Sequence, residues 1–414
     1  MHSVVSRSLK VFTTTLAAAL LALSTPVLAA AAPPQTACAN RQDPPPPVDT
    51  SEKPAPGKPV PAPLAVPAVP AGGPRMAECG LITPANSLNP PDGNTAASWL
   101  LQDLDTGAVI AAKDPHARQR PASLIKTLLA LVVIDELKPE QVIVASKEDA
   151  EQECTCVGLV AGGQYTVDQL LHGLLMHSGN DAAHAVATAL GGVDSAVAKM
   201  NATAAKIGAL DTRTATPSGL DGPGMSTSAY DLSLIFHYAM KQPEYAKVVA
   251  TKNFELPPAG GKPGVPVLND NKLLCVYPGF LGGKTGFTND ARHTYVGAAE
   301  RKGKRLAVVM VRAEQRPTKV VDQAAKLLDY GFALEDDRAE PVGQITYRDP
   351  AATAENGDPA AAADGGTGNS GTSSAAAAAK ADPFGVTGWI ITLVVFLIIV
   401  GGFVVGHARR KAAN

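Results

Sequence analysis

Arg120-Pro121-Ala122-Ser123-Leu124-Ile125-Lys126-Thr127-Leu128-Leu129-Ala130-Leu131-Val132-Val133-Ile134 is the stretch on which the fold turns. Between Ser123 and Leu137 the apolar residues run nearly all round a helix, so the pattern predicts a helix buried on most sides. Upstream, Ala97 to Leu104 and Ala108 to Ala112 are short apolar-rich runs separated by Asp105-Thr106-Gly107, a hairpin signal. Downstream, Thr166-x-x-Gln169 matches a capping box, and Val167, Leu170, Leu171, Leu174 and Leu175 recur behind it at helical spacing, giving a helix that ends close to Ser178. Leu281 to Thr285, Thr294 to Ala299 and Leu306 to Val311 read as strands, the last two joined by the turn-like Arg301-Lys302-Gly303-Lys304, and Val320 to Tyr330 as a helix. Strands in a run with helices at both sequence ends predict an α/β chain of the α+β type, an antiparallel sheet packed with helices.

The ordered part is shorter than the 414 residues. Only 5% of the residues are aromatic, against 34 Pro and 38 Gly, so some of the length is not packed structure. A formal net charge of −2 provides no broad basic surface and argues against a nucleic-acid partner. Arg7 and Lys10 precede an apolar stretch that reaches about Leu23, and small residues surround Ala30, the layout of a secretory signal over residues 1–32. Residues 33–78 are rich in Pro and Ala and are expected to be an extended spacer. One domain follows over residues 79–347, then an Ala-, Gly- and Ser-rich tether over 348–385. Val386 to Val405 is an uncharged run, long enough at about 1.5 Å per residue to span a membrane, and Arg409, Arg410 and Lys411 in the tail 406–414 mark its cytoplasmic end. The layout predicts an exported, single-pass protein with its domain outside the cell.

Five cysteines fit an oxidising compartment: Cys38, Cys79, Cys154, Cys156 and Cys275. Cys38 with Cys79 could clip the Pro-rich segment back onto the domain, a bridge between Cys154 and Cys156 would be strained, and the sequence leaves the pairing open. Neither the cysteines nor His172, His177 and His184 have metal-ligand spacing, so no metal is expected.

Three short motifs carry the chemistry: Ser123-x-x-Lys126, Ser178-Gly179-Asn180 and Lys284-Thr285-Gly286. Ser123 opens the buried helix, where free backbone N–H groups and the helix dipole favour a developing oxyanion. Lys126 lies one turn on, on the same face, and a desolvated lysine has a lowered pKa and can act as a base. Ser178 and Asn180, in the turn after a helix, offer a hydroxyl that can relay a proton and an amide suited to a peptide group. Lys284 and Thr285, at a strand end, suit a carboxylate, and Gly286 lets a substrate backbone approach.

In this order the motifs, with Leu174 to Ala183, Thr216-Pro217-Ser218-Gly219-Leu220-Asp221 and Lys284-Thr285-Gly286-Phe287-Thr288, resemble the serine D-alanyl-D-alanine carboxypeptidases among the low-molecular-weight penicillin-binding proteins. The Ala- and Pro-rich style looks actinobacterial. The resemblance, over about residues 80–334, implies a transpeptidase fold shared with β-lactamases, with a helical subdomain. It implies Ser123 as the acylated nucleophile, Lys126 as its base, and Ser178 and Asn180 as the second wall of the cleft. Lys284 and Thr285 would hold the terminal carboxylate, and the backbone N–H groups of Ser123 and Phe287 would form an oxyanion hole. The implied substrate is the peptidoglycan stem pentapeptide, with β-lactams as acylating inhibitors and no cofactor. Arg292 stands where relatives often carry Gly, which marks the loop geometry there as the point to check.

Other readings share the motifs. A β-lactamase is disfavoured by Gly179, where class A enzymes carry Asp, and by the lack of a convincing Glu-x-x-Leu-Asn segment. A non-catalytic wall-binding sensor would be signalled by loss of Ser123 or Lys126, and both are present. Endopeptidase or transpeptidase activity differs only in the acceptor of the acyl group.

Overall fold

Leu306, Val308 and Met310 alternate along one strand with Ala307, Val309 and Val311, and the two sets are buried in two different cores. A strand whose neighbours in sequence point to opposite faces can do this only in a sheet covered on both sides. The computed structural model describes residues 38–347 apart from Cys154. In chain order, β1 (Leu81–Ile82), β2 (Ser98–Asp103) and β3 (Ala108–Lys113) lead through a 3-10 turn at Ala122–Ile125 into α1 (Lys126–Glu136). Next come β4 (Val142–Val144), α2 (Lys147–Ala150), β5 (Gln164–Thr166), α3 (Val167–Met176), α4 (Asn180–Ala189), α5 (Val193–Ile207), α6 (Ala229–Ala239) and α7 (Pro243–Ala250). The chain closes with β6 (Asn253–Leu256), β7 (Val265–Leu268), α8 (Leu273–Val276), β8 (Phe280–Thr288), β9 (Arg292–Arg301), β10 (Lys304–Ala313), α9 (Val320–Asp336) and β11 (Gly343–Gln344).

The main sheet is antiparallel throughout, in the order β1-β3-β2-β10-β9-β8, with β11 also pairing with β3. On one face α9 packs Ala324, Leu327 and Leu328 against Leu101, Leu306 and Val308. On the other, Leu128 of α1, Leu170 of α3, Ala183 of α4 and Leu234 of α6 share a core with Leu100 and Val309. The expected architecture, hairpin and terminal helix are all present. Thr166 and Gln169 form the reciprocal capping box at the start of α3.

One helix start differs. The buried helix, expected from Ser123, begins at Lys126, and Ala122–Ile125 is a tighter 3-10 turn. Ala122 holds a left-handed φ of 47°, so the chain enters the turn at an angle that no ordinary N-cap produces, and the Ser123 side chain makes no capping bond.

The Pro-rich segment also departs from expectation. Its described part, from Cys38 on, has no regular structure before a 3-10 turn at Pro74–Ala77, but it is bound to the domain rather than spacing it. Pro lacks an N–H, so such a chain presents more carbonyls than donors and can be buried only where donors from outside the segment supply the missing bonds. Arg118 does so, donating to the carbonyls of Gln42, Leu64 and Ala65. Arg41, Arg118 and His116 converge on the buried carboxylate of Asp211. Cys38 and Cys79 form a disulfide across the segment, Cys156 is also disulfide-bonded, and Cys275 is free and exposed. The expected signal peptide, tether, spanning helix and basic tail lie outside the described residues. Among the described residues no helix is long and apolar enough to cross a membrane.

Candidate active site

Three pieces of chain meet at the 3-10 turn, and two glycines let them. A Cβ on Gly286 of β8 would lie 2.9 Å from Ser123 N and 2.4 Å from Thr294 Oγ1. A Cβ on Gly219, whose φ is +88°, would lie 2.1 Å from Ala122 O. Neither position can carry a side chain while the turn stays where it is. Thr294 Oγ1 also donates to Pro121 O at 2.9 Å, tying β9 to the residue before the turn. The strand edge carrying Gly286 and Phe287 is thereby fixed against the start of the helix.

Lys126 is fully buried, and its Nζ lies 3.1 Å from Ser123 Oγ, 2.8 Å from Asn180 Oδ1 and 2.6 Å from Ser218 O. All three partners can accept a proton-bearing N–H. Burial holds the amine well below its ordinary pKa, the nearby charge of Lys284 lowers it further, and the carboxylate of Asp181 partly opposes both. Asp181 is itself held by the backbone N–H groups of Val157, Gly158 and Leu159, so its charge sits behind α4 and not in the cleft. Asn180 opens α4, its own N–H bonded to Thr155 O at 2.8 Å and its amide nitrogen to Glu153 O. Its oxygen is thus turned to Lys126.

Ser178 lies between α3 and α4 with a φ of 64°, a left-handed turn that sets its hydroxyl at the cleft. Among the described residues it bonds to neither lysine. Lys284, buried in β8, donates to Thr285 O at 2.7 Å, and burial pushes its pKa down to about 8 against the opposing field of Asp270. Thr285 and Gly286 line the cleft, and the half-exposed Phe287 ring packs on His293 at 4.6 Å. The cleft, of about 660 Å³, is lined by Ser123, Ser178, Asn180, Thr285 and Gly286 among others.

The sequence-predicted residues therefore come together. The carbonyl of Ser218 and the carboxylate of Asp181 were not among them. The first lies in the Thr216–Asp221 motif, whose spacing alone assigns no role. The second sits beside Asn180 and acts through bonds to a loop more than twenty residues away. At the flagged Arg292, the φ of 57° is a left-handed conformation that Gly adopts without cost, and the Arg side chain is carried there by a bidentate pair with Glu314.

Residues 85–315 match the family model described as D-alanyl-D-alanine carboxypeptidase. The chain is 49% identical over 258 residues to D-alanyl-D-alanine carboxypeptidase DacB2 of Mycobacterium tuberculosis, covering 61% of this chain and 87% of that one. It is 30% identical over 244 residues to D-alanyl-D-alanine carboxypeptidase DacF of Bacillus subtilis, covering 58% of this chain and 62% of the relative. A crystal structure of a D-alanyl-D-alanine carboxypeptidase from Mycobacterium tuberculosis is similar with a TM-score of 0.60 and 46% identity, over 64% of this chain and all of that one. The Streptomyces K15 DD-transpeptidase is similar with a TM-score of 0.56 and 28% identity, over 60% of this chain and all of that one. The fold is that of the penicillin-binding DD-peptidases. The chain belongs to the D-alanyl-D-alanine carboxypeptidase family, peptidase family S11, and is a hydrolase of that class. The match supports the carboxypeptidase and enzyme readings over the β-lactamase and non-catalytic ones.

Proposed function

We propose that the enzyme removes the terminal D-alanine of peptidoglycan stem pentapeptides through an acyl-enzyme on Ser123, and that β-lactams acylate the same oxygen. The observation that carries this is the buried amine of Lys126 at 3.1 Å from Ser123 Oγ, with its pKa lowered toward the neutral form that a base requires. Lys284 and Thr285 hold the free carboxylate of the substrate. Lys126 takes the Ser123 proton as Oγ attacks the scissile carbonyl, and the carbonyl oxygen gathers charge between the N–H groups of Ser123 and Phe287. Such donors contribute about 3 kcal/mol each when aimed at the developing charge. The proton then passes from Lys126 to the leaving amine, the cleft-lining Ser178 hydroxyl turning toward the lysine to relay it once substrate is bound, and the C–N bond breaks. Water, deprotonated by Lys126, attacks the ester, the C–Oγ bond breaks, and Lys126 returns the proton to Ser123 Oγ. The Cys38–Cys79 disulfide supports the exported location, since such bonds persist in oxidising compartments.

The test is D-alanine release from a peptide ending in D-Ala-D-Ala, together with mass spectrometry of the penicillin adduct. Release, and an adduct on Ser123 that Ser123→Ala abolishes, are expected. Labelling that persists in Ser123→Ala removes the nucleophile assignment.

A further inference from the structure

Along β8 the groups fall in the order in which a bound peptide would meet them. Thr285 takes the terminal carboxylate, the Phe287 N–H takes the scissile carbonyl, and Thr288 and Asn289 follow. The part of the peptide on the acyl side of the scissile bond therefore runs past Thr288. At that end the cleft is walled by another piece of the same chain: Asp49 and Ser51 of the Pro-rich segment line it together with Ser123, Thr285 and Thr288.

This wall is anchored on both sides of the site. Val48 N and Ser51 Oγ both donate to the buried carboxylate of Asp290, the latter at 3.3 Å, in the hairpin two residues beyond Thr288. Glu52 forms a two-point pair with Arg120, whose guanidinium also donates to Pro45 O at 2.7 Å. Arg120 is buried and lies three residues before Ser123. Two buried side chains of the domain thus hold residues 48–52 in register with the strand that binds substrate; Ser51 is itself one of the anchored groups, and Asp49 lies between the anchors. Asp49 Oδ1 accepts from Ser51 N at 2.8 Å, a local turn that keeps the two together.

We propose that residues 48–52 form one wall of the acyl-donor subsite, where Asp49 and Ser51 are specificity-determining residues that contact the stem peptide upstream of its D-Ala-D-Ala unit. This rests on the carboxylate and oxyanion assignments above. A donor reduced to little more than D-Ala-D-Ala does not reach the wall, and a full pentapeptide does.

The experiment is steady-state hydrolysis, by the full chain, of a pentapeptide and of a blocked tripeptide, both ending in D-Ala-D-Ala. The wild type is compared with an Asp49→Ala variant, which keeps the bonds of Val48, Ser51 and Glu52 to the domain and the disulfide. The ratio of kcat/KM for pentapeptide over tripeptide is expected to fall at least about fivefold, a loss on the scale of one or two hydrogen bonds. An unchanged ratio overturns the proposal. A second measurement is independent of that variant: amide exchange at residues 49–52 in the Ser123→Ala chain is expected to slow on adding pentapeptide and not tripeptide. No slowing, or equal slowing by both, overturns it as well. Failure of the wild type to release D-alanine from either donor would instead remove the underlying hydrolase reading.

Discussion

Lys126, whose amine lies 3.1 Å from Ser123 Oγ, has its pKa lowered first by its burial and then by the nearby charge of Lys284. The two lysines need opposite protonation states. In the proposed mechanism Lys126 works as the neutral amine, so turnover rises as pH climbs through its lowered pKa. In the same mechanism Lys284 works as the cation, so carboxylate binding weakens as pH passes its own pKa of about 8. The expected profile of kcat/KM for D-alanine release is a bell whose falling limb is centred near pH 8. Because the Lys284 charge is one cause of the depression, Lys284→Gln should move the rising limb to higher pH while weakening binding. A rising limb that stays in place in Lys284→Gln would show that the charge does not reach Lys126.

Gly219 touches the carbonyl of Ala122 from a backbone conformation open chiefly to glycine. Gly219→Ala should cost about 2–4 kcal/mol, the sum of a strained φ and an overpacked contact. It should also push the 3-10 turn away from β8 and reduce kcat/KM about a hundredfold, since displacements near 1 Å are felt that strongly. Urea unfolding and D-alanine release measure the two effects. Full activity in the variant would mean that the turn tolerates the shift.

Arg292 is the reverse case, a side chain where the backbone favours none. Its pair with Glu314 is exposed on both sides, and such pairs contribute about 0–1 kcal/mol. Leaving the left-handed conformation to Gly relieves a similar amount. Arg292→Gly should therefore be neutral to slightly stabilising in urea. A loss above about 1.5 kcal/mol would show that the ion pair matters more than exposed pairs do.

Asp211 gathers Arg41, Arg118 and His116 in the interior. Asp211→Asn removes the charge that compensates two buried guanidinium groups, a change that costs about 3–5 kcal/mol when a buried pair is broken. The thermal midpoint should drop, and residues 42–65 should become more accessible to protease, because Arg118 would no longer be held against their carbonyls. An unchanged cleavage pattern would separate the Pro-rich segment from this cluster.

How much of this was legible in the sequence follows from how local each signal is. The Thr166–Gln169 cap, the strands that became β8, β9 and β10, and the three Ser- and Lys-bearing motifs are short-range patterns, and each appears where its spacing places it. Ser123 and Lys126 lie three residues apart, so their contact was readable, although the intervening turn is 3-10 and not α-helical. The contacts of the Pro-rich segment were not. Arg41 meets Asp211 across 170 residues and Val48 meets Asp290 across 242, and a single charged residue at that separation leaves no periodicity to read. Composition pointed to a chain without regular structure and was silent on what would hold it.

The Cys38–Cys79 disulfide closes a loop that contains residues 48–52. Val60 and Val69 are largely exposed within this loop, so a protease has places to cut. A single cut between residues 53 and 78 would yield a two-chain molecule in which the fragment bearing Asp49 and Ser51 stays attached through sulfur. Such a nicked enzyme would keep its substrate preference until a reductant freed the shorter piece, so trimming and thiol chemistry would have to act together to remodel the cleft.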